Sequence, residues 1–363
     1  MKSINLTSID CALNEHPYPA LDRLARSAIC RKLETIDAGE IIVQEHGQTQ
    51  TFGGRDNTLP VSVTVEVRDS TMWREIALGG ANGAGDAYIQ GYWKCSDLTG
   101  LVQILLNNQQ VLEGMDRSLS RAGRSLQKLV HAFNRNTRSG SRKNIAAHYD
   151  LGNEFFSLFL DPNLMYSSGF YLAPDSTLEE ASTAKLDRIC RKLELSAGDR
   201  ILEIGSGWGG FALHAARHYG CHVTTTTLSQ EQFQLAQQRV ADEGLEARIT
   251  LLLQDYRDLE GCYDKLVSIE MIEAVGHQYL DTYFRQCSHL LKPGGQMLLQ
   301  AITIRDQDYS RALRNVDFIK RHIFPGGFIP SVSAMAASIS GSSDMKIAHL
   351  EDIGPHYART LHD

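Results

Sequence analysis

From about residue 199 onward, short runs rich in apolar or β-branched residues alternate with amphipathic stretches of helical period. The runs at 201–205, 222–227, 249–253, 265–270 and 296–303 predict strands, and 210–219, 230–243 and 278–291 predict helices. This alternation predicts a parallel sheet covered on both faces, with a ligand at the C-terminal ends of its central strands. The first third of the chain has a different pattern. Leu21, Leu24, Ala28, Ile29, Leu33 and Ile36 recur at helical spacing within 20–37. Residues 40–67 read as strands, most clearly at Val61, Val63, Val65 and Val67, with a hairpin turn at Glu45-His46-Gly47-Gln48. Residues 77–85 (ALGGANGAG) read as a glycine-rich loop, and helix resumes around 98–107. The expected organisation is a small α+β domain over 1–115, a helix and linker over 116–143, and an α/β domain over 144–363.

The connecting segment has its own chemistry. Residues 117–143 hold Arg117, Arg121, Arg124, Lys128, Arg135, Arg138, Arg142 and Lys143 and no acidic residue. Leu119, Ala122, Leu126, Leu129, Val130 and Phe133 fall on one helical face. A basic amphipathic helix can lie on an anionic membrane surface. It can equally pack its apolar face on protein and leave its charges solvated. Residues 136–144 (NTRSGSRKN) read as a linker.

Composition narrows the class. A chain of 363 residues with 42% hydrophobic and 22% charged residues is ordinary for a globular protein of two domains. No apolar run approaches the length of a membrane span, and MKSINLTSIDCALNEHPYP has no signal-peptide core. The seven cysteines are scattered without C-x-x-C spacing, which suits a reducing cytosol and argues against a zinc site or disulfide framework. No metal is expected. The net charge of −7 excludes neither a lipid nor a small-molecule partner.

The most informative segment is 201–210, ILEIGSGWGG, a strand and glycine-dense turn leading into a helix. Glycine lets the backbone take positive φ and approach a ligand closely, and the helix that follows points free N–H groups at it. Gly205, Gly207 and Gly210 satisfy G-x-G-x-x-G. Dinucleotide binding also requires an acidic residue about 20 positions on. Residues 211–230 contain neither Asp nor Glu, so the NAD reading fails.

Glu203-Ile-Gly-Ser-Gly-Trp-Gly-Gly210 resembles the first motif of class I S-adenosylmethionine-dependent methyltransferases. Further ordered segments narrow the likeness: His148-Tyr-Asp-Leu-Gly-Asn153, Phe155-Phe156, Leu160-Asp-Pro162, Met165-Tyr-Ser-Ser168, Thr227-Leu-Ser-Gln-Glu-Gln232, Gln254-Asp-Tyr-Arg-Asp258, Ser268 to Gly276, and Ile323-Phe-Pro-Gly-Gly327. Together they resemble the cyclopropane-fatty-acyl-phospholipid synthase family from about residue 140 onward. The resemblance implies a Rossmann-like class I methyltransferase domain behind the small α+β domain. It implies a cytoplasmic, peripherally membrane-associated enzyme that transfers a methyl group to the double bond of a phospholipid acyl chain and closes a cyclopropane ring. The implied partners are an unsaturated phospholipid and an anionic membrane surface, with no nucleic acid; a homodimer is compatible with it.

By the same resemblance, Gly205, Gly207 and Gly209 with Glu203 face the cofactor, and Thr227 and Gln232 lie near its ribose. Ser229-x-x-Gln232 also reads as a capping box. Asp255 is placed at the adenine amino group or acts as a strand-end cap, and Tyr256 lines the adenine face. Tyr149 and Ser167 lie near the methionine portion. The family holds bicarbonate as proton acceptor. Glu273 matches its carboxylate ligand and Tyr357 its tyrosine, while Ser168 and Ile302 match the backbone contributors. Gln300 stands where many members have histidine, and an amide donates but does not titrate near neutrality. Glu273 could instead pair structurally with a cation, and Tyr357 could be a core residue. Phe170, Phe318, Phe324 and Phe328 are candidates for an acyl tunnel or for plain core, and His277, His289 and His322 show no ligand spacing. Family members usually continue several dozen residues further, into a strand lying between the fifth and sixth; a truncated chain and a sheet completed otherwise both stay open. Other readings are methylene- or methyl-branched products, an amine N-methyltransferase, and a catalytically silent lipid-binding relative.

Overall fold

The computed structural model describes residues 18–54, 58–111 and 152–363, together with 137 and 140. The chain divides into two compact units, Met1–Leu129 and Val130–Asp363. The basic segment 117–143 (137 and 140 aside) and Tyr149 lie outside the described residues.

The first unit contains α1 (Ala20–Leu33), β1 (Glu40–Glu45), β2 (Gln48–Gly53), β3 (Ser62–Val67), α2 (Thr71–Ile89), β4 (Trp93–Cys95) and α3 (Leu98–Asn107). Its sheet order is β2-β1-β3-β4, with β1 and β3 parallel and the outer pairs antiparallel. The expected hairpin is present: His46 and Gly47 take φ of 48° and 74° between β1 and β2, and positive φ at both central residues suits a two-residue turn. Ile41, Val43, Val63 and Val65 point into a core closed by Ile29, Trp73 and Ile104. Residues 77–85, expected as a loop, instead lie within α2, which breaks at Gly80 (φ 59°, ψ −136°). A Cβ at Gly83 would stand 1.9 Å from the Glu75 carbonyl oxygen, so this glycine serves backbone approach across the break. Two buried polar groups fix the unit. Glu45 accepts from Arg26 Nε and Trp73 Nε1, both at 2.6 Å. Asn108 Oδ1 accepts from the Asp37 and Ala38 amides, and its Nδ2 donates to the carbonyls of Ala38 and Ile104.

The second unit adds α4 (Asn153–Ser157), α5 (Leu178–Lys192), β5 (Arg200–Ile204), α6 (Gly210–Tyr219), β6 (His222–Thr227), α7 (Gln230–Asp242), β7 (Ile249–Leu253), β8 (Tyr263–Ile269), α8 (Leu280–Leu290), β9 (Leu291–Gln300), α9 (Asp306–Arg314), α10 (Val332–Ser342) and α11 (Gly354–His362). All five strands are parallel, in the order β7-β6-β5-β8-β9. Both faces are covered, as the apolar runs require. Ile201 and Val267 join the cluster with α5 and α6, whereas their neighbours Leu202 and Leu266 join the one with α8. β9 begins earlier than expected and its pairing with β8 skips from Leu291 to Gln296, so Lys292–Gly295 bulge out. The chain leaves β5 first toward β6 and β7 and later toward β8 and β9. The crevice where this order reverses lies at the C-terminal ends of β5 and β8. Among the described residues no helix is long and apolar enough to cross a membrane.

Replacing Asn108 with Ala would take the side-chain partner from two amides and from the Ala38 carbonyl in a partly buried site, while the Ile104 carbonyl keeps the Asn108 backbone amide. We expect a loss of about 2–3 kcal/mol, read by urea denaturation as a lower midpoint for the first unit; an unchanged midpoint would show that water replaces the amide.

Candidate active site at the ends of the central strands

The glycine turn after β5 is held by β6: the Gly205 and Ser206 amides both donate to the Thr226 carbonyl. Gly205, Gly207 and Gly209 have φ of 98°, 50° and 87°. Their surroundings separate their tasks. A Cβ at Gly205 would press on Met271 at 3.0 Å, and one at Gly209 on Ala236 at 3.3 Å. At Gly210 it would meet Met165 Sδ at 2.6 Å and the Asn163 carbonyl at 2.7 Å, so this glycine is fixed by packing. A Cβ at Gly207 would meet nothing within 4 Å. This open approach to the backbone, beside the N-terminus of α6, fits a small-molecule cofactor. The turn is braced from outside. Trp208 Nε1 donates to Asn153 Oδ1 at 2.6 Å, and Arg239 bonds the carbonyls of Trp208, Asn163 and Pro162.

Glu203 is buried under the turn and accepts from Thr225 Oγ1 at 2.6 Å. Burial pushes its carboxyl up to about 8, against the opposing effect of that hydrogen bond. After β6, Thr227 Oγ1 donates to Gln232 Oε1 at 2.8 Å, and both are buried. Ser229 caps α7 by accepting from the Gln232 amide, but the glutamine side chain goes to Thr227, so the reciprocal half of the expected capping box is absent. After β7, Asp255 caps a short turn, and both of its oxygens accept from Arg257. The ring of Tyr256 packs edge-on against Tyr283, and burial raises its hydroxyl. Ser167 Oγ accepts from Lys185 Nζ at 2.6 Å. Burial lowers this lysine to about 8, while Glu270 and Asp161 oppose the shift.

A second group gathers after β8 and β9. Glu273 Oε1 accepts from the Ile302 amide at 2.6 Å, and its Oε2 is buried with no partner among the described residues. Burial, reinforced by Glu270, pushes Glu273 up to about 8 against its backbone hydrogen bonds. Tyr357 on α11 is raised to about 12 by burial and by the fields of Glu270, Tyr166 and Glu273. α11 reaches this place through the loop after Ser168. The Gly169 amide donates to Thr360 Oγ1, the Tyr171 amide donates to His356 Nδ1, and Arg359 bonds the carbonyls of Ala173 and Ser176.

The expected residues Ser168, Gln300, Ile302, Glu273 and Tyr357 thus come together, and a sixth joins them. Glu270 Oε1 accepts from the Ser168 amide at 2.9 Å and from Gln300 Nε2 at 2.8 Å. Gln300 Nε2 also reaches the Ser168 carbonyl at 3.3 Å. The donors expected to hold bicarbonate are therefore already engaged: two on Glu270 and the Ile302 amide on Glu273. The arrangement does not fit a bicarbonate cradle. Glu270 lies within the Ser268 to Gly276 motif, yet nothing in its residue type separates it from an ordinary surface glutamate. Its φ of 45° and its hydrogen-bond partners come from tertiary structure. Lys185 was equally hidden, since a lysine on an amphipathic helix ordinarily faces water.

The four candidate phenylalanines do not share one role. Phe328 is buried in the core with α8, and Phe170 packs at a tilt against His356 with the Arg188 guanidinium over its ring. Phe318 packs on His322. Phe324 stacks on Tyr166, which continues into the rings of Phe156 and Phe159.

Residues 136–363 match the family described as Mycolic acid cyclopropane synthetase. The chain is 37% identical over 300 residues to the Cyclopropane-fatty-acyl-phospholipid synthase of Escherichia coli (strain K12), covering 82% of this chain and 74% of that protein. It is 35% identical over 305 residues to the Tuberculostearic acid methyltransferase UfaA1 of Mycobacterium tuberculosis, covering 81% and 70% respectively. Among solved structures it is similar to mycolic acid cyclopropane synthase CmaA1 complexed with SAH and CTAB. That likeness has a TM-score of 0.57 at 34% identity and covers 61% of this chain and 80% of that one.

Gly207→Val places its side chain in the open space above the turn. The left-handed backbone should cost about 1–2 kcal/mol, but calorimetry should find S-adenosylhomocysteine binding abolished; unchanged affinity would remove Gly207 from the cradle. The buried acids make a separate prediction. Glu203 and Glu273 keep their protons to about pH 8 when folded, whereas the unfolded chain loses them near the ordinary value of 4.5. The folded state then binds more protons, so stability falls as pH rises between these values. Denaturation midpoints of the ligand-free protein should decline from pH 6 to 8, and Glu203→Gln should flatten the decline; an equal slope in the variant would refute the assignment.

Proposed function

Because the chain belongs to the mycolic acid cyclopropane synthetase family and is an S-adenosylmethionine-dependent methyltransferase of cyclopropane-synthase type, we propose that it methylates the double bond of an unsaturated acyl chain in a membrane phospholipid and closes a cyclopropane ring. The observation that carries this reading is the gathering of Glu270, the buried Glu273 carboxyl and Tyr357 beside the ends of β5 and β8, near the open glycine turn. An alkene is a weak nucleophile, so the reaction depends on alignment and exclusion of water. Bound S-adenosylmethionine supplies an electrophilic methyl group on a sulfonium.

In this reading Gly205, Gly207 and Gly209 admit the cofactor to the backbone, with Glu203 beneath. Thr227 and Gln232 orient each other toward the ribose, and Asp255 and Tyr256 border the adenine. Ser167 and Tyr149 complete the methionine end. The π pair of the alkene forms the new bond to the methyl carbon as the methyl–sulfur bond breaks and its electron pair leaves on sulfur as S-adenosylhomocysteine; a cation is left on the neighbouring carbon. The carboxylates stabilise this charge, and the positive charge in turn favours the ionised form of Glu273. A C–H bond of the transferred methyl then breaks; its electron pair closes the ring, and the proton passes to a carboxylate. Gln300, Ser168 and Ile302 hold the two acids in place.

Access to lipid is assigned to the basic segment 117–143, whose eight Arg and Lys residues and absence of acid suit an anionic surface. In this reading the enzyme works at the cytoplasmic face of a membrane. The small first unit and the segment 116–143 are read as separate from the catalytic domain over 144–363. A methylene- or methyl-branched product remains the second reading, favoured by the likeness to the tuberculostearic acid methyltransferase.

The test combines purified protein, S-adenosylmethionine and anionic vesicles of unsaturated phospholipid, followed by mass spectrometry and NMR of the fatty acids. The expected product gains the mass of one CH2 group and shows cyclopropane protons. Turnover should fall with added salt as screening weakens vesicle binding. Glu273→Gln should lower turnover by on the order of 10²-fold with cofactor affinity unchanged. Olefinic methylene protons would support the second reading, and no lipid methylation would refute both.

A further inference from the structure

The bicarbonate expected from the family resemblance would need free donors at the ends of the loop before α5 and of β9. Those donors converge on a side chain of the protein itself. Glu270 Oε1 takes the Ser168 amide and the Gln300 amide group, at 2.9 and 2.8 Å. The contact is reciprocal along the backbone, because the Glu270 amide donates to the Gln300 carbonyl at 2.8 Å. Lys185, buried behind Ser167, adds a positive field. Two N–H donors and a nearby ammonium are the surroundings an anionic oxygen requires. The residue reaches them with φ of 45°, a conformation that costs a non-glycine side chain of order 1–2 kcal/mol and persists only where neighbours hold it.

The geometry points to Glu270 as a built-in replacement for bicarbonate: its carboxylate fills the anion cradle and accepts the proton released as the ring closes. Gln300 follows from this arrangement. A carboxylate fixed on the neighbouring strand needs a neutral donor, and an amide supplies one without competing for the proton. The bond balance is that of the reaction above. The methyl C–H bond breaks, its electron pair forms the third ring bond, and the proton passes to Glu270, which returns it to solvent after product leaves. No oxidant or further reactant is needed. The inference rests on the lipid-methylating reading for the proton's origin, but occupancy of the cradle is testable without any lipid.

The experiment uses the full chain in carbonate-depleted buffer, with carbon-13 bicarbonate binding followed by NMR in the presence of S-adenosylhomocysteine. Turnover on unsaturated phospholipid vesicles is measured in parallel. The parent protein should bind no labelled bicarbonate, and its turnover should not respond to it. Glu270→Gly removes the carboxylate and suits the positive φ, so it should fold and retain S-adenosylhomocysteine affinity. It should bind labelled bicarbonate, lose on the order of 10²-fold in turnover, and recover part of that loss when bicarbonate is added. Glu270→Gln keeps the cradle filled without the charge, and should stay slow with or without the ion. Bicarbonate binding to the parent protein, or full turnover by Glu270→Gly without bicarbonate, would overturn the assignment. If no lipid is methylated at all, the binding measurement still decides who occupies the cradle, while the function proposed above fails separately.

Discussion

Two carboxylates three residues apart, Glu270 and Glu273, gather at the end of β8. Burial penalises the charged form of Glu273, and the negative field of Glu270 adds to that penalty. Much of the surrounding structure can be understood as the response. β9 delivers the Gln300 amide group to one acid and the Ile302 amide to the other. The loop before α5 turns the Ser168 amide toward Glu270, and α5 contributes the buried Lys185. Where compensation stops, at Glu273 Oε2, a polar atom is left without a partner in a dry place. Such an atom is costly in a resting protein and useful only if a reaction later brings it a partner.

The parallel sheet makes this convergence available. Each strand ends on the same edge, and each contributes a different requirement there: an open backbone turn after β5, a hydroxyl and amide pair after β6, an aspartate and aromatic face after β7, acids after β8 and their donors after β9. The glycines illustrate how unevenly one motif divides its work. Gly210 accommodates the loop carrying Met165, whereas Gly207 accommodates nothing in the protein itself. Positive φ alone does not distinguish a packing glycine from one that admits a ligand; the space beside it does.

Much of this was legible from residue order. Short runs rich in apolar or β-branched residues, HVTTTT in β6 among them, located the five strands because they alternate with longer stretches of helical period, and the sequence around His46-Gly47 marked its hairpin because few residues tolerate that backbone. Residues 77–85 were misread because glycine density looks the same in a loop and in a helix that folds closely upon itself. Within the site, Glu273 and Tyr357 could be named from the family resemblance, although their surroundings differ from the bicarbonate cradle it implied. Glu270 could not. Its significance depends on a left-handed backbone and on pairing with a strand thirty residues away in sequence. Ser168, Gln300 and Ile302 were named as contributors, but which oxygen each serves is a property of three-dimensional register.

The attachment of α11 bears on how the molecule is assembled. Its contacts with the loop after Ser168 join residues 185 and 191 positions apart. Loop closure over that distance adds only about 0.6 kcal/mol for each doubling of length, so separation itself is a modest obstacle. Timing is the stronger constraint. During synthesis the sheet and its glycine turn emerge well before α11, and the tyrosine can take its place only after both docking partners exist. The chain therefore acquires a scaffold for its cofactor before it acquires the complete acid–tyrosine group, so that the glycine turn is in place before the groups that would act on a bound methyl donor.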